Sequence, residues 1–303
     1  MQKNKILILG SLGLDSIQTP FGKRKNILGG SATHAAISAS YFTTPIIISV
    51  VGEDFPEEHI RLFKKNKIDI KNLQRKKGKT FAWEARYGHN PNEREVLATY
   101  ENVLKDYLPS LLPEHQKIKY VFLANNSPAS QIILLDQLKS AEFIIWDTMS
   151  FWIDKYADQI LKILPRIDIA LFNDSEAMHF SKEINLVKAG RKILSHGVRK
   201  GVVIKKGEHG SFLFTHSFTM HLPAYPIEEV KDPTGAGDSF AGGFIGFLAK
   251  TGKVNDKSLK KAMAYGTIMA SLTVEEFGAD RFKKLEKKDI RKRFLELKEI
   301  IGF

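Results

Sequence analysis

Apolar residues come in short runs rich in Ile and Val, separated by stretches of helical spacing. The runs are Ile6–Leu9, Ile46–Val51, Tyr120–Leu123, Phe143–Trp146, Ile167–Phe172 and Val202–Lys205. Runs this short, apolar at consecutive rather than alternate positions, predict strands buried on both faces. Alternating with helices, they predict a doubly wound α/β fold: a mostly parallel central sheet with helices on both faces. Near the C-terminus, Ile290, Phe294, Leu297 and Ile301 recur at helical spacing among charged residues, the pattern of an amphipathic helix. No Pro-, Gly- or Ser-rich linker and no internal repeat divides the chain, so residues 1–303 are read as a single domain.

Two segments break this rhythm. From Lys79 to Tyr100, alternating residues on either side of Gly88-His-Asn-Pro-Asn92 predict a β-hairpin. The segment Ser11–Leu28, with Pro20 and Gly22, is also not helical. Val202–Ser211 reads as strand, glycine turn, strand.

Composition narrows the function classes. With 303 residues, 43% of them apolar, the chain can bury a large α/β core. No apolar run approaches the ~20 residues of a membrane span, and the apolar part of the first ten residues reads as a strand rather than a signal peptide. The absence of cysteine excludes disulfides, thiolate metal sites and cysteine nucleophiles. A cytoplasmic enzyme is the expectation. The formal net charge of +12 is spread along the chain and interleaved with glutamate. Without zinc-finger spacing or an aromatic–basic pattern, it favours attraction of anionic small molecules over nucleic acid.

The chemistry concentrates in Asp232-Pro-Thr-Gly-Ala-Gly-Asp-Ser-Phe-Ala-Gly-Gly-Phe244, a turn running into a small-residue helix predicted over Ser239–Lys250. Unpaired N–H groups at such a helix start, with the positive end of the dipole behind them, form an anion site. Asp238 then has two readings: a helix cap, or a general base acting beside the amides that hold a phosphate.

This stretch strongly resembles the C-terminal signature of the ribokinase-like carbohydrate kinases, the phosphofructokinase-B family. The resemblance implies a ribokinase-like fold with a small β-sheet lid from about 11–28 and 79–101, a lid such proteins often use in homodimer contacts. It also implies an anion hole at Gly235, Ala236 and Gly237, with Asp238 as catalytic base. At the substrate end, Asp15 matches the position that accepts hydrogen bonds from substrate hydroxyls. Gly29, Gly30 and Ser31 resemble the family's N-terminal Gly-Gly motif, and His34 stands where an Asn is usual. Asn126 lies where the family often has a substrate-facing polar residue, and Asp147 ends a strand in a similar position.

At the nucleotide end, Asn173-Asp-Ser-Glu176 is by composition a good capping sequence. By resemblance Asn173 approaches ATP phosphates, and Glu176 helps hold Mg²⁺ through water. Lys205, Gly207 and Gly210 match the turn beside the nucleotide, Thr234 belongs to the same end, and Tyr265 falls in the helix that lines the adenine. Asp232 and Thr234 lie where some relatives bind a monovalent cation. Glu275-Glu-Phe-Gly278 does not match the partner region, so that cation is not asserted.

Competing motifs fail on spacing. Gly78-Lys79-Thr80 ends like a P-loop, but Leu73 stands where its first glycine belongs. A dinucleotide fingerprint at 235–237 would need glycine at Phe240, and there is no Gly-x-Ser-x-Gly elbow. A non-catalytic sugar- or nucleotide-binding sensor would keep the glycines but would not need Asp238. The sequence thus points to ATP-dependent phosphorylation of a hydroxymethyl group on a sugar or nucleoside.

Overall fold

The computed structural model describes residues 4–302. In chain order, the first half comprises β1 (Ile6–Leu9), β2 (Gly13–Thr19), β3 (Gly22–Gly29), α1 (Ser31–Ser40), β4 (Pro45–Val51), α2 (Glu57–Lys65), β5 (Asp69–Arg75), β6 (Ala82–Tyr87) and β7 (Arg94–Tyr100). There follow β8 (Tyr120–Leu123), α3 (Pro128–Gln137), β9 (Phe143–Asp147), α4 (Ser150–Ile163), β10 (Ile169–Asn173), α5 (Asp174–Ser181) and α6 (Leu186–Ser195). The last third holds β11 (Gly201–Lys205), β12 (Ser211–Thr215), β13 (Thr219–Leu222), α7 (Ala236–Thr251), α8 (Asp256–Thr273) and α9 (Lys287–Ile301).

A nine-stranded sheet runs β13-β12-β11-β10-β9-β8-β1-β4-β5. It is parallel from β5 through β11, and β12 pairs antiparallel with both its neighbours. Its two faces account for the continuous apolar runs. Ile6 and Ile8 pack with α1, α2, α7, α8 and α9, whereas Leu7 and Leu9 pack with α3, α4, α5 and α6. The strands between the two edges, β4, β1 and β8–β12, therefore supply both cores, as consecutive apolar residues require, while the edge strands β5 and β13 supply one.

The segments that broke the rhythm form a second, four-stranded sheet ordered β3-β2-β6-β7. Ile17, Ala85, Tyr87 and Phe277 make its own small core. In the main sheet β1 lies between β8 and β4, with chain connections leaving in opposite directions. Ligands of open α/β sheets gather in the crevice beyond the carboxyl ends of strands at such a switch point. Residues 10–15 and 124–127 emerge there.

Candidate active site

Helix α7 begins at Ala236, earlier than the spacing suggested, and its N-cap is Gly235 at φ 75° with no side-chain cap bond. Asp238 therefore lies inside the first turn rather than at the N-cap, where its carboxylate can still accept from a first-turn amide, its own. Gly235 is held in this left-handed conformation against His34: a Cβ added at 235 would lie 2.3 Å from His34 Cγ. The preceding loop is tied down by buried Asp232, whose Oδ1 accepts from the Thr234 amide (2.9 Å) and Oδ2 from the Gly278 amide (2.9 Å). Small residues let α1 and α7 approach closely, with Ser38 Oγ donating to the Ser239 carbonyl at 2.7 Å. The two helix N-termini thereby converge.

The predicted substrate residues meet at the α1 end of this crevice. Ser11 and Ser31 are joined reciprocally, each backbone amide donating to the other's hydroxyl, and Ser31 Oγ donates to the Asn125 carbonyl at 3.0 Å. Gly29 makes room for Asp15: a Cβ there would fall 1.9 Å from Asp15 Oδ2. Gly30 backs onto the Ser11 carbonyl in the same way. Asn126 Oδ1 accepts from the Ser127 amide. Left over, buried and without partners among the described residues, are Asp15 Oδ1, both ring nitrogens of His34, and Asn126 Nδ2. Buried polar atoms are seldom left unpaired, and here four of them gather at one end of the crevice.

At the other end Asn173 and Glu176 form a reciprocal capping box, the Asn173 side chain accepting from the Glu176 amide and Glu176 Oε2 from the Asn173 amide. The capping role of this motif is thus realised, and Glu176 Oε1 remains outside it. Lys205 Nζ reaches Asp147 Oδ2 at 2.8 Å and stands 3.0 Å from where a Cβ on Gly237 would be. Gly207 lies against Asn92 of the β6–β7 turn, and Asn92 Nδ2 donates to Glu208. Gly210 packs on the end of β13, facing the Leu222 carbonyl. Thr234 Oγ1 donates to Tyr87 Oη of the small sheet at 3.2 Å.

Tyr265 requires a correction. Its ring is stacked between Phe247 (4.7 Å, 21°) and Phe294 (4.8 Å, 15°), with Phe42 at its edge. Neither face is left for an adenine, and the residue belongs to the core.

Burial and mutual repulsion set the electrostatics. Asp238 is pushed up to about 7 by desolvation and by Asp147, with Lys205 and Arg94 pulling the other way. Glu176 is raised to about 7 by burial and Asp147, and Asp15 to about 7 by burial, Asp232 and Asp238. Burial lowers His34 to about 4, so its imidazole is neutral near pH 7. A carboxyl raised in the folded state contributes stability that is complete below its unfolded value, about 4, and lost as pH rises through about 7. His34 works the opposite way, its contribution being lost as pH falls from its ordinary value towards 4. Asp238→Asn is accordingly expected to raise the thermal midpoint at pH 8 by roughly 2–5 °C, with no gain at pH 4. Equal midpoints at pH 8 would show that the carboxylate carries no such cost.

Three contributions come from distant segments, and sequence alone left open whether Arg86 or Arg94 of the hairpin faces the site. Asp147 was noted only as a strand-end residue, and its pairing with Lys205 had no local signature. Of the hairpin arginines, Arg86 turns outward to Glu95. Arg94 lies over the Trp83 ring at 5.8 Å, and its charge acts on both Glu176 and Asp238. Tyr87 and Asn92 bring the small sheet into contact with the loops of Thr234 and Glu208.

Comparison with known proteins gives this geometry a setting. The sequence pattern of the pfkB family carbohydrate kinases matches residues 14–286. A cytidine kinase of Thermococcus kodakarensis is 28% identical, over 90% of this chain and 97% of its own length. A nucleoside kinase of Thermoplasma acidophilum is 27% identical, over 84% and 80%. The solved nucleoside kinase of Methanocaldococcus jannaschii, an archaeal member of the ribokinase family, superposes with a TM-score of 0.78 at 20% identity, covering 98% of this chain and all (100%) of that one. This likeness bears on the fold.

Proposed function

Because the chain belongs to the pfkB family of carbohydrate kinases and is a sugar or nucleoside kinase, we propose that it transfers the γ-phosphoryl group of ATP to the hydroxymethyl group of a nucleoside, with Asp238 as base. The observation that carries this reading is the set of unpartnered buried atoms on Asp15, His34 and Asn126, with Asp15 within electrostatic reach of Asp238. An ionised carboxylate accepts, an amide donates, and a neutral imidazole does one at each nitrogen. That inventory suits the hydroxyls of a ribose. The choice of a nucleoside over a free sugar is supported by the cytidine and nucleoside kinases to which nearly the whole chain is similar.

In the proposed reaction the acceptor hydroxyl lies at Asp238. Its proton passes to the carboxylate, its oxygen forms the new bond to the γ-phosphorus, and the bond from that phosphorus to the bridging oxygen breaks as ADP leaves. The amides of Gly235 and Gly237 and the positive end of α7 face the oxygens on which charge builds, whereas the Ala236 amide, expected from the resemblance to join them, donates to the Pro233 carbonyl at 3.3 Å. Lys205 adds a cation beside Gly237. Positioning and charge stabilisation carry most of the rate in phosphoryl transfer.

Glu176 fits a role in holding Mg²⁺ through water: Oε1 is outside the capping box, and its burial beside Asp147 favours a nearby cation. Among the described residues no group of three or more His, Asp or Glu side chains forms a ready metal cage. Mg²⁺ keeps most of its waters and would bind largely through substrate phosphates. Its contribution there is neutralisation of phosphate charge. The small sheet, joined to the site through Tyr87–Thr234 and Asn92–Glu208, acts as a lid that keeps water from competing for the phosphoryl group.

The test is ADP release from Mg·ATP with adenosine, inosine, cytidine, ribose, fructose and fructose phosphates as acceptors. A nucleoside is expected to exceed every sugar in kcat/KM by at least about tenfold, the scale of one lost polar contact. A free or phosphorylated sugar as best acceptor would overturn the nucleoside assignment. No turnover and no ATP binding would overturn the site itself.

A further inference from the structure

Lys205 leaves the end of β11 and crosses the end of β10 to reach Asp147 on β9, two strands away in the sheet. A lysine bound for the α- and β-phosphates of a nucleotide has no need of this path. Asp147 is held firmly. Its Oδ1 accepts from the Thr148 amide at 2.8 Å, leaving Oδ2 for Lys205 at 2.8 Å. Its carbonyl accepts from Gln131 Nε2, which also donates to the Ala124 carbonyl, while Gln131 Oε1 accepts from Trp146 Nε1 at 2.7 Å. Asp147 and Gln131 are 4% and 1% exposed, so this bracket across the ends of β8 and β9 has little freedom to shift.

We propose that Asp147 is a positioning residue for the transfer step, holding the Lys205 ammonium at the Gly235–Gly237 anion hole so that it meets the phosphoryl group in flight. Two observations place the ammonium there. Nζ lies 3.0 Å from the Cβ position of Gly237, the glycine just before Asp238. Its charge also reaches Asp238, as does that of Asp147. A buried ammonium needs a fixed counter-charge to stay in one place and protonated. Asp147 supplies one.

This rests on the reading of Gly235–Asp238 as the transfer site, and the experiment separates the two. Steady-state kinetics would compare Asp147→Asn, Lys205→Met and the double variant, with thermal melting of each. Lys205→Met is expected to lower kcat about 10²-fold, the scale of one lost oxyanion donor. Asp147→Asn should lower kcat about tenfold or more with KM for ATP changed less than about threefold, because a misplaced group costs rate rather than ground-state binding. The double variant should be no slower than Lys205→Met alone, and should recover any melting temperature that Asp147→Asn loses, since no buried ammonium then lacks a partner.

Multiplicative losses in the double variant would overturn the proposal. So would a raised Mg²⁺ requirement in Asp147→Asn that persists in the Lys205→Met background, because Asp147 would then serve the metal. If instead Asp238→Asn kept full turnover, the transfer site itself would be misassigned, whatever the cycle gave.

Discussion

Asp238→Asn is expected to lower kcat by about 10²–10⁴-fold, the usual worth of general-base help, while ATP still binds with near wild-type affinity. The substitution keeps shape and leaves the Gly235–Gly237 amides in place, so it removes the proton acceptor and little else. The N-cap position itself is Gly235, where α7 starts. The charge environment also matches the task. A carboxyl at its ordinary value would be a feeble base near neutrality. Burial and Asp147 lift Asp238 to about 7, with Lys205 restraining the rise, so its proton affinity sits near the working pH. For the wild type, kcat/KM should fall about tenfold per pH unit below pH 7, since only the ionised form accepts a proton. In the Asn variant that acid limb should become shallower, the remainder coming from Asp15 and Glu176, which are also raised to about 7. Turnover measurements between pH 5 and 9, with calorimetric titration of ATP, check both points. A variant that turned over at nearly the wild-type rate would end the assignment of the base.

The parts of this site that could be read from sequence are those whose signal is local. The continuous apolar runs named their strands because a strand buried on both faces has no other way to look. Asn173 and Glu176 were legible because a capping box occupies four consecutive residues, although the same residues serve a cap and a ligand site equally well. Tyr265 was open between base and core for a related reason: an aromatic on a helix has one sequence signature whether it stacks on a base or on Phe247 and Phe294. Asp147 lies 58 residues from Lys205, and only the order of β9, β10 and β11 makes them partners. Arg94 was undecidable for want of register. Once Tyr87 pairs with Arg94 across the hairpin, its side is fixed with that of Tyr87, which faces Thr234.

Gly235→Ala should be nearly as damaging as loss of the base, by a different route. At φ 75° a non-glycine residue costs roughly 1 kcal/mol or more. The added methyl would also sit 2.3 to 2.4 Å from Cγ, Cδ2 and Nδ1 of His34. His34 is 1% exposed and has no space to swing aside. The strain is relieved by moving the first turn of α7, and that turn carries the amides proposed to form the anion hole. A loss of about 10²–10³-fold in kcat is expected, the scale for one misplaced oxyanion donor, together with a lower thermal midpoint. The cause can be isolated by combining the change with His34→Ala. Removing the ring removes the obstacle, so the double variant should melt higher than the sum of the single effects predicts, a coupling expected only of residues in contact. Activity should not return with stability, because the double variant lacks the imidazole whose nitrogens are free for the acceptor. If Gly235→Ala melted and turned over like the wild type, neither the close packing on His34 nor the placement of the anion hole at this turn could stand.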